Sequence, residues 1–374
     1  MIKRALQSQL EKMIGGKKAI TLMGARQVGK STLLKLMLEH RADVLWLNGD
    51  DVDVQDMLSQ ITSTRFRNII GNHRILVIDE AQRISDIGLK LKLVTDQIPG
   101  VQVIATGSCS FVLARDVNES LTGQECEFVL TPLTFGEMVE HTNLMEELRM
   151  IPHRMVYGYY PEVVTSPSEE RDVLKELSES YLFRSALSFD KIFKSDKLVK
   201  LLQALSYQIG SMVNSHELGT LVGLDSKTVE KYITLLEQSY IVFGLRSYSR
   251  NLRNELKKSR KIYFWDLGIR NAVISDFSQI ESRNDVGALW ENFVVSERMK
   301  LNVMNRSFAQ SWFWRTQQQQ EVDYVECIDG QINAFEMKWN AKKKSVKCPP
   351  SFARAYPDAS FQVITPDNIE NFLL

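Results

Sequence analysis

The chain has 374 residues, 44% hydrophobic and 25% charged, with Lys+Arg and Asp+Glu balanced at 46 each. That length predicts two or three domains with separate cores, and the composition excludes a disordered or fibrous chain. The charge balance excludes a globally basic nucleic-acid binder, and four cysteines without a Cys-x-x-Cys pair exclude a zinc module or a disulfide scaffold.

The opening segment, MIKRALQSQLEKMIGG, alternates charged and apolar residues at helical spacing and lacks the apolar stretch of a signal peptide. No run approaches the roughly 20 apolar residues that span a bilayer. The expectation is a cytoplasmic protein with no membrane partner. Five short apolar runs then read as strands: AITLM (19–23), DVLWL (43–47), RILVID (74–79), VQVIAT (101–106) and CEFVLT (126–131). Helical patterns separate them, which predicts βαβ units around a parallel sheet.

The first strand leads into GARQVGKST, residues Gly24, Ala25, Arg26, Gln27, Val28, Gly29, Lys30, Ser31 and Thr32, and then a helix. Strand, Gly-x4-Gly-Lys-Ser and helix form a phosphate-binding loop for ATP. Glycines permit the tight turn, backbone N–H groups face the phosphates, and the helix N-terminus adds partial positive charge. Lys30 is expected to reach the β- and γ-phosphates, and Ser31 to ligate Mg²⁺. RILVIDEAQ supplies the partner: Asp79 at the strand end for Mg²⁺, and Glu80 as the base that polarises water. An acidic pair favours an ATPase over a small-molecule kinase, which must exclude water. VIATGS places Thr106 or Ser108 as the sensor of the γ-phosphate. Arg26 and Gln82–Arg83 read equally well as nucleotide contacts or surface residues.

From Glu169 to Leu205 the pattern is helical and amphipathic. NSHELGTLVGLDSKTVEKYITLLEQSYIVFGL (214–245) then reads as a helix-turn-helix. Ser215 caps the first helix, carrying Leu218 and Leu221–Val222. Gly223 and Leu224 turn, and Ser226 caps a second helix with Val229, Ile233 and Leu236 on one face. Lys227, Lys231 and Thr228 would project outward from it. The stretch 246–261 that follows has seven basic residues against Glu255 alone, and reads as a wing. Candidate DNA contacts are Lys227, Lys231, Arg250, Arg253, Lys257 and Lys258. Docking of a protein partner is the equal alternative.

Toward the end, Glu291 lies in the helical pattern GALWENFVVSERMK. Asp323 lies in EVDYVE, and Glu336 and Lys338 in AFEMKW, alternating segments joined by the Asp-Gly turn of CIDGQ. Glu336 and Lys338 share one strand face, and Asp323 can point the same way across the hairpin. Such a set can hold Mg²⁺ on Glu291, Asp323 and Glu336 while Lys338 activates water. Taken alone, Glu-x-Lys is more often a solvent-facing pair.

In order, GARQVGKSTLL, LVIDEAQRI, ATGSCS, LTPLTFGEM, GYYPEVV, KIYFWDLGIRNAV, LWENFVVSE, WFWRTQQQQEVDYV and AFEMKWN resemble a bacterial and archaeal family of AAA+-type P-loop ATPases. The resemblance covers nearly the whole chain. It implies an α/β protein in four parts: an ASCE-type, AAA+-like ATPase domain (1–165), a helical linker (166–205), a winged helix (206–280) and a PD-(D/E)xK nuclease-like domain (281–374). It assigns Lys30, Ser31, Asp79 and Glu80 to ATP hydrolysis, and Glu291, Asp323, Glu336 and Lys338 to the nuclease-like site. Val322 stands where proline would precede Asp323, and Ser185 after Arg184 breaks an Arg-Asp pair, so no arginine finger is legible. Two functions follow: action on DNA driven by ATP, or an ATP-dependent switch on a protein partner with a nuclease-like fold that does not cut.

Overall fold

The computed structural model describes residues 2–108, 123–179, 195–249, 260–340 and 346–374. They form two compact units, Met1–Thr131 with Gln238–Tyr240, and Pro132–Glu237 with Ile241–Leu374. The second unit takes in residues from all four of the expected parts, and one strand pairing described below joins two of them.

In the first unit, β1 (Ala19–Met23), β2 (Val44–Asn48), β3 (Ile75–Asp79), β4 (Gln102–Gly107) and β5 (Glu125–Val129) form a parallel sheet in the order β2-β3-β4-β1-β5. The five expected strands are all present, shifted by at most two residues at an end. β1 is buried throughout and β3 up to Ile78, as continuous apolar runs covered on both faces must be. Leu58, Phe66, Ile78, Leu91 and Val94 belong to the core against which they pack. The insertion of β4 between β1 and β3 decides the site, because it sets the end of β4 between the phosphate loop and Asp79.

The second unit holds a seven-stranded sheet, ordered β12-β11-β10-β9-β7-β8-β6. Its first part runs helix Ser195–Tyr207, β6 (Met212–Val213), helices Ser215–Val222 and Ser226–Gln238, β7 (Val242–Ser247) and β8 (Arg260–Phe264). The two middle helices match the expected pair, but each is capped one residue earlier than expected. Asn214 accepts from His216 N and Glu217 N, and Asp225 accepts from Lys227 N and Thr228 N. Both are short acceptors in the N-cap position, where Ser215 and Ser226 are already helical. Leu218 and Val222 are buried while Leu221 is 67% exposed, so the first helix presents a narrower apolar face than expected.

The remainder runs helix Val286–Met304, β9 (Gln310–Arg315), β10 (Glu321–Ile328), β11 (Gln331–Met337), helix Pro350–Ala355 and β12 (Ser360–Ile364). β9, β10 and β11 are antiparallel neighbours, and β12 adds in parallel to β11. Asp329 and Gly330, both at positive φ, make the two-residue β10–β11 turn that the Asp-Gly pair predicts. The pairing that unites the unit is β7 with β9, in parallel through Arg246–Trp312 and Ser247–Phe313. Backbone hydrogen bonds thus run from the expected winged helix into the expected C-terminal domain. No local sequence pattern announces such a long-range pairing.

Several of the motif residues hold this unit together. Buried Asp266 accepts from Ile269 N, capping helix Leu267–Val273, and from Tyr159 N. Gly158 sits at φ +73°, where any Cβ would collide with that carboxylate. Asn271 donates to the carbonyls of Met155 and Val156. The buried Lys300–Glu297 pair fastens the 133–135 segment, with Lys300 donating to Leu133 O and Glu297 accepting from Phe135 N.

Candidate functional site

The loop of the first unit turns through residues that only its composition allows. Gly24 lies at φ +144° with Leu130 backbone against the position of a Cβ, and Gln27 and Gly29 also take positive φ. Gly29 leaves the N-terminus of helix Lys30–Leu38 without a side-chain cap, so its N–H groups remain available to an anion. Arg4, which the sequence did not single out, braces the loop from behind by donating to Val28 O and Thr131 O, both at 2.7 Å.

Lys30 is buried and folds back to donate to Gly24 O at 2.9 Å and Ala25 O at 2.7 Å. Burial pushes its pKa down to about 8, against the opposing pull of Glu80 and Asp79. Ser31 Oγ donates to Asp79 Oδ1 at 2.9 Å, and Thr106 Oγ1 donates to the same oxygen. Thr106 Oγ1 also accepts from Glu80 N at 3.0 Å. The sheet order is the cause: β4 ends between β1 and β3, so one threonine touches both acidic residues.

Glu80 takes a left-handed conformation, φ 48°, which turns the chain sharply after the buried strand. Gln82 Nε2 donates to Glu80 Oε2 at 2.6 Å and to Ser108 Oγ at 3.0 Å, while Gln82 Oε1 is buried with no partner among the described residues. Gln82 therefore belongs to the site. Arg83 turns away and pairs with Asp50 at 3.2 Å. Of the two sensor candidates, Thr106 donates to Asp79 and Ser108 Oγ lies 3.4 Å from Glu80 Oε2. Gln27 and Thr32 of the loop are exposed. Ser31 with Asp79 offers the hard oxygen donors that suit Mg²⁺, an ion that keeps most of its waters and takes few protein ligands.

In the second unit the expected acids do come near one another, but not alone. Helix Val286–Met304 is pinned at both sides of Glu291: Trp290 Nε1 donates to Ile364 O, and Asn292 brackets Phe264 N and O. Glu291 Oε1 accepts from Lys261 Nζ at 2.9 Å and Tyr263 OH at 2.7 Å. Lys261, 1% exposed, also pairs with Glu321, which Arg315 holds from its other oxygen at 3.0 Å. Asp323 Oδ2 accepts from Met337 N at 2.8 Å, and Glu336 Oε1 pairs with Lys338 at 2.7 Å. Burial, then Asp323, pushes Glu291 up to about 7. Asp323 and Glu336 are raised as well, burial being the first cause for each.

Lys261, Tyr263, Glu321 and Arg315 were not expected here; Lys261 was counted in the basic wing. Among the described residues no group of three or more His, Cys, Asp or Glu side chains is placed to hold a metal ion. One oxygen of each of Glu291, Asp323 and Glu336 is already taken by an ammonium, hydroxyl or backbone N–H donor. On the helix-turn-helix, Lys227 and Lys231 are exposed as expected, whereas Thr228 donates to Asp225 at 2.6 Å within the cap. Arg260 pairs with Glu230 and Glu237 instead of extending into a wing. Arg184, Arg250, Arg253, Lys257 and Lys258 lie outside the described residues. No helix among the described residues is long and apolar enough to cross a membrane.

Comparison with known proteins agrees with the first unit. Residues 16–139 match the model of an AAA domain, 148–280 a domain of unknown function (DUF8612), and 286–370 another (DUF4143). An uncharacterized protein of Mycobacterium tuberculosis is 24% identical, covering 90% of this chain and 74% of its own length. One of Methanocaldococcus jannaschii is 21% identical, covering 94% and 85%. A Walker-type ATPase of Pyrococcus abyssi shares the fold with a TM-score of 0.51 at 15% identity, over 73% of this chain and 96% of its own. Residues 16–139 thus match an AAA domain and carry the phosphate-binding loop on a parallel sheet of order β2-β3-β4-β1-β5.

Proposed function

We propose that the protein is a Mg²⁺-dependent ATPase whose second unit, a winged helix joined to a nuclease-like fold, responds to the nucleotide and does not cut nucleic acid. The observation that carries the first half is the convergence of Lys30, Ser31, Asp79, Thr106 and Glu80 at the C-terminal ends of β1, β3 and β4. Lys30 and the uncapped helix N-terminus bind phosphate charge; Ser31 and Asp79 hold Mg²⁺, which supplies charge neutralisation at the transferring phosphoryl group. Glu80, positioned by Thr106 and Gln82, takes the proton of the attacking water.

The second half draws support from topology. The family resemblance implies a nuclease-like fold for the segment that forms a helix, three antiparallel strands, a helix and a parallel strand, and β6, β7 and β8 with three helices suit a winged helix. The paired state of Glu291, Asp323 and Glu336 favours the reading without cleavage. Action on DNA is the second reading, favoured by exposed Lys227 and Lys231 on the second helix of the helix-turn-helix. Phosphate release from ATP by the purified chain, with and without DNA, tests both halves. Release that requires Mg²⁺ and disappears in Glu80→Gln is expected; release that survives Lys30→Ala overturns the ATPase assignment. Plasmid cleavage abolished by Asp323→Ala would establish the second reading.

A further inference from the structure

We infer that Lys261 is the resident cation of the C-terminal carboxylate cluster: its ammonium, delivered by β8 into the space between Glu291 and Glu321, takes the place that a divalent metal would need. The inference rests on the proposed reading of this fold as one that does not cut, and supplies its physical reason.

Three observations meet at this point. Lys261 and Tyr263 are two apart on β8, hence on one face, and both donate to Glu291 Oε1. The same ammonium pairs with Glu321, and its charge is also the strongest attraction on buried Asp323. Lys338 does the equivalent for Glu336 and adds to the field at Asp323. Among the described residues four carboxylates, Glu291, Glu321, Asp323 and Glu336, thus share three cations, Lys261, Lys338 and Arg315. Such a cluster is close to neutral without any ion from solution.

Desolvation makes the arrangement specific. An ammonium that is 1% exposed has given up its water and is held only because carboxylates surround it. The Phe313 ring, 5.5 Å from Lys261 Nζ, adds its negative face. A divalent ion would have to displace this charge. Among the described residues five of the eight carboxylate oxygens are already engaged: Glu291 Oε1 has two donors, Lys261 and Arg315 take one oxygen each of Glu321, Asp323 Oδ2 has a backbone N–H, and Glu336 Oε1 pairs with Lys338. The device also crosses segments: a strand read as part of a winged helix neutralises acids of the nuclease-like fold.

The test is Mn²⁺ titration of the full chain without nucleotide, in an Asp79→Asn background that removes the carboxylate of the ATP site. Binding is read by calorimetry and by Mn²⁺-dependent shifts in thermal midpoint. The parent is expected to show no saturable site below millimolar Mn²⁺. Lys261→Met is expected to bind Mn²⁺ at least tenfold more tightly, with a lowered midpoint that Mn²⁺ raises again; adding Glu291→Gln should remove the Mn²⁺ response and recover the midpoint. If Lys261→Met does not fold, the Lys261→Met/Glu291→Gln pair should, since it removes both charges, and its failure to fold overturns the inference. A parent site lost in Glu291→Gln or Asp323→Asn overturns it, as does a stable Lys261→Met that ignores Mn²⁺. Plasmid cleavage by the same preparations separates the two claims. Mn²⁺ binding by the parent without cleavage defeats only the resident cation, whereas cleavage by the parent defeats the non-cutting reading as well.

Discussion

Lys30 carries a consequence that a sequence motif cannot express. A surface lysine keeps its charge to about pH 10.4, but burial brings this one down to about 8. In the free protein its charge is therefore lost as pH rises through about 8, and phosphate affinity falls with it. Nucleotide affinity should decline steeply above about pH 8, measured by fluorescent ATP binding, and the slope should vanish in Lys30→Ala, whose affinity is already low. The sign for folding is opposite. A lysine whose pKa is lowered in the fold makes the native state less stable below its folded pKa, and that penalty fades as pH rises toward the unfolded value. Glu80→Gln should keep ATP binding and lower turnover by about 10²–10⁴-fold, the usual contribution of a positioned base. Gln82→Ala should act through Glu80, changing the pH profile and kcat of phosphate release more than KM, because its amide touches that carboxylate. Lys30, Ser31, Asp79 and Glu80 were legible because they lie in two contiguous motifs. Gln82 was not separable from Arg83, since only the turn after Glu80 decides which of two adjacent side chains faces inward.

Elements show a similar limit at longer range. The strands of the first unit could be read because buried parallel strands are short, almost wholly apolar runs. The helix pair at 215–238 was legible from its apolar spacing, while its caps moved to Asn214 and Asp225, the better-placed acceptors. Motif residues such as Asp266 had no assigned task in the sequence. In the fold Asp266 joins a helix N-terminus to the turn at Gly158–Tyr159, with both acceptor roles buried. Asp266→Ala should cost about 2–4 kcal/mol, because it strands buried N–H groups. Gly158→Ala should be similarly harmful through φ +73° and the collision with Asp266. Urea unfolding should register both losses while ATP affinity per folded molecule stays unchanged, since these residues belong to the second unit.

At the scale of the molecule, the two readings of the second unit diverge most clearly in their response to salt. Binding that uses the exposed lysines of helix Ser226–Gln238 should weaken linearly on a log–log plot of affinity against salt, with the slope smaller by about 1 for each of Lys227→Ala and Lys231→Ala. A switch on a protein partner predicts weak DNA affinity with little change in either variant. Sequence by itself determined the nucleotide loop, its acidic partner strand, the helix pair and the Asp-Gly hairpin, because each is written within a few consecutive residues of fixed period. Only the tertiary structure decided that β4 lies between β1 and β3, that β7 joins β9, and that Lys261 enters the carboxylate cluster. Those pairings link residues 27 or more positions apart, and their selection rests on which buried charge finds its counterion and which strand edge finds a partner. Neither leaves a periodic trace in the chain.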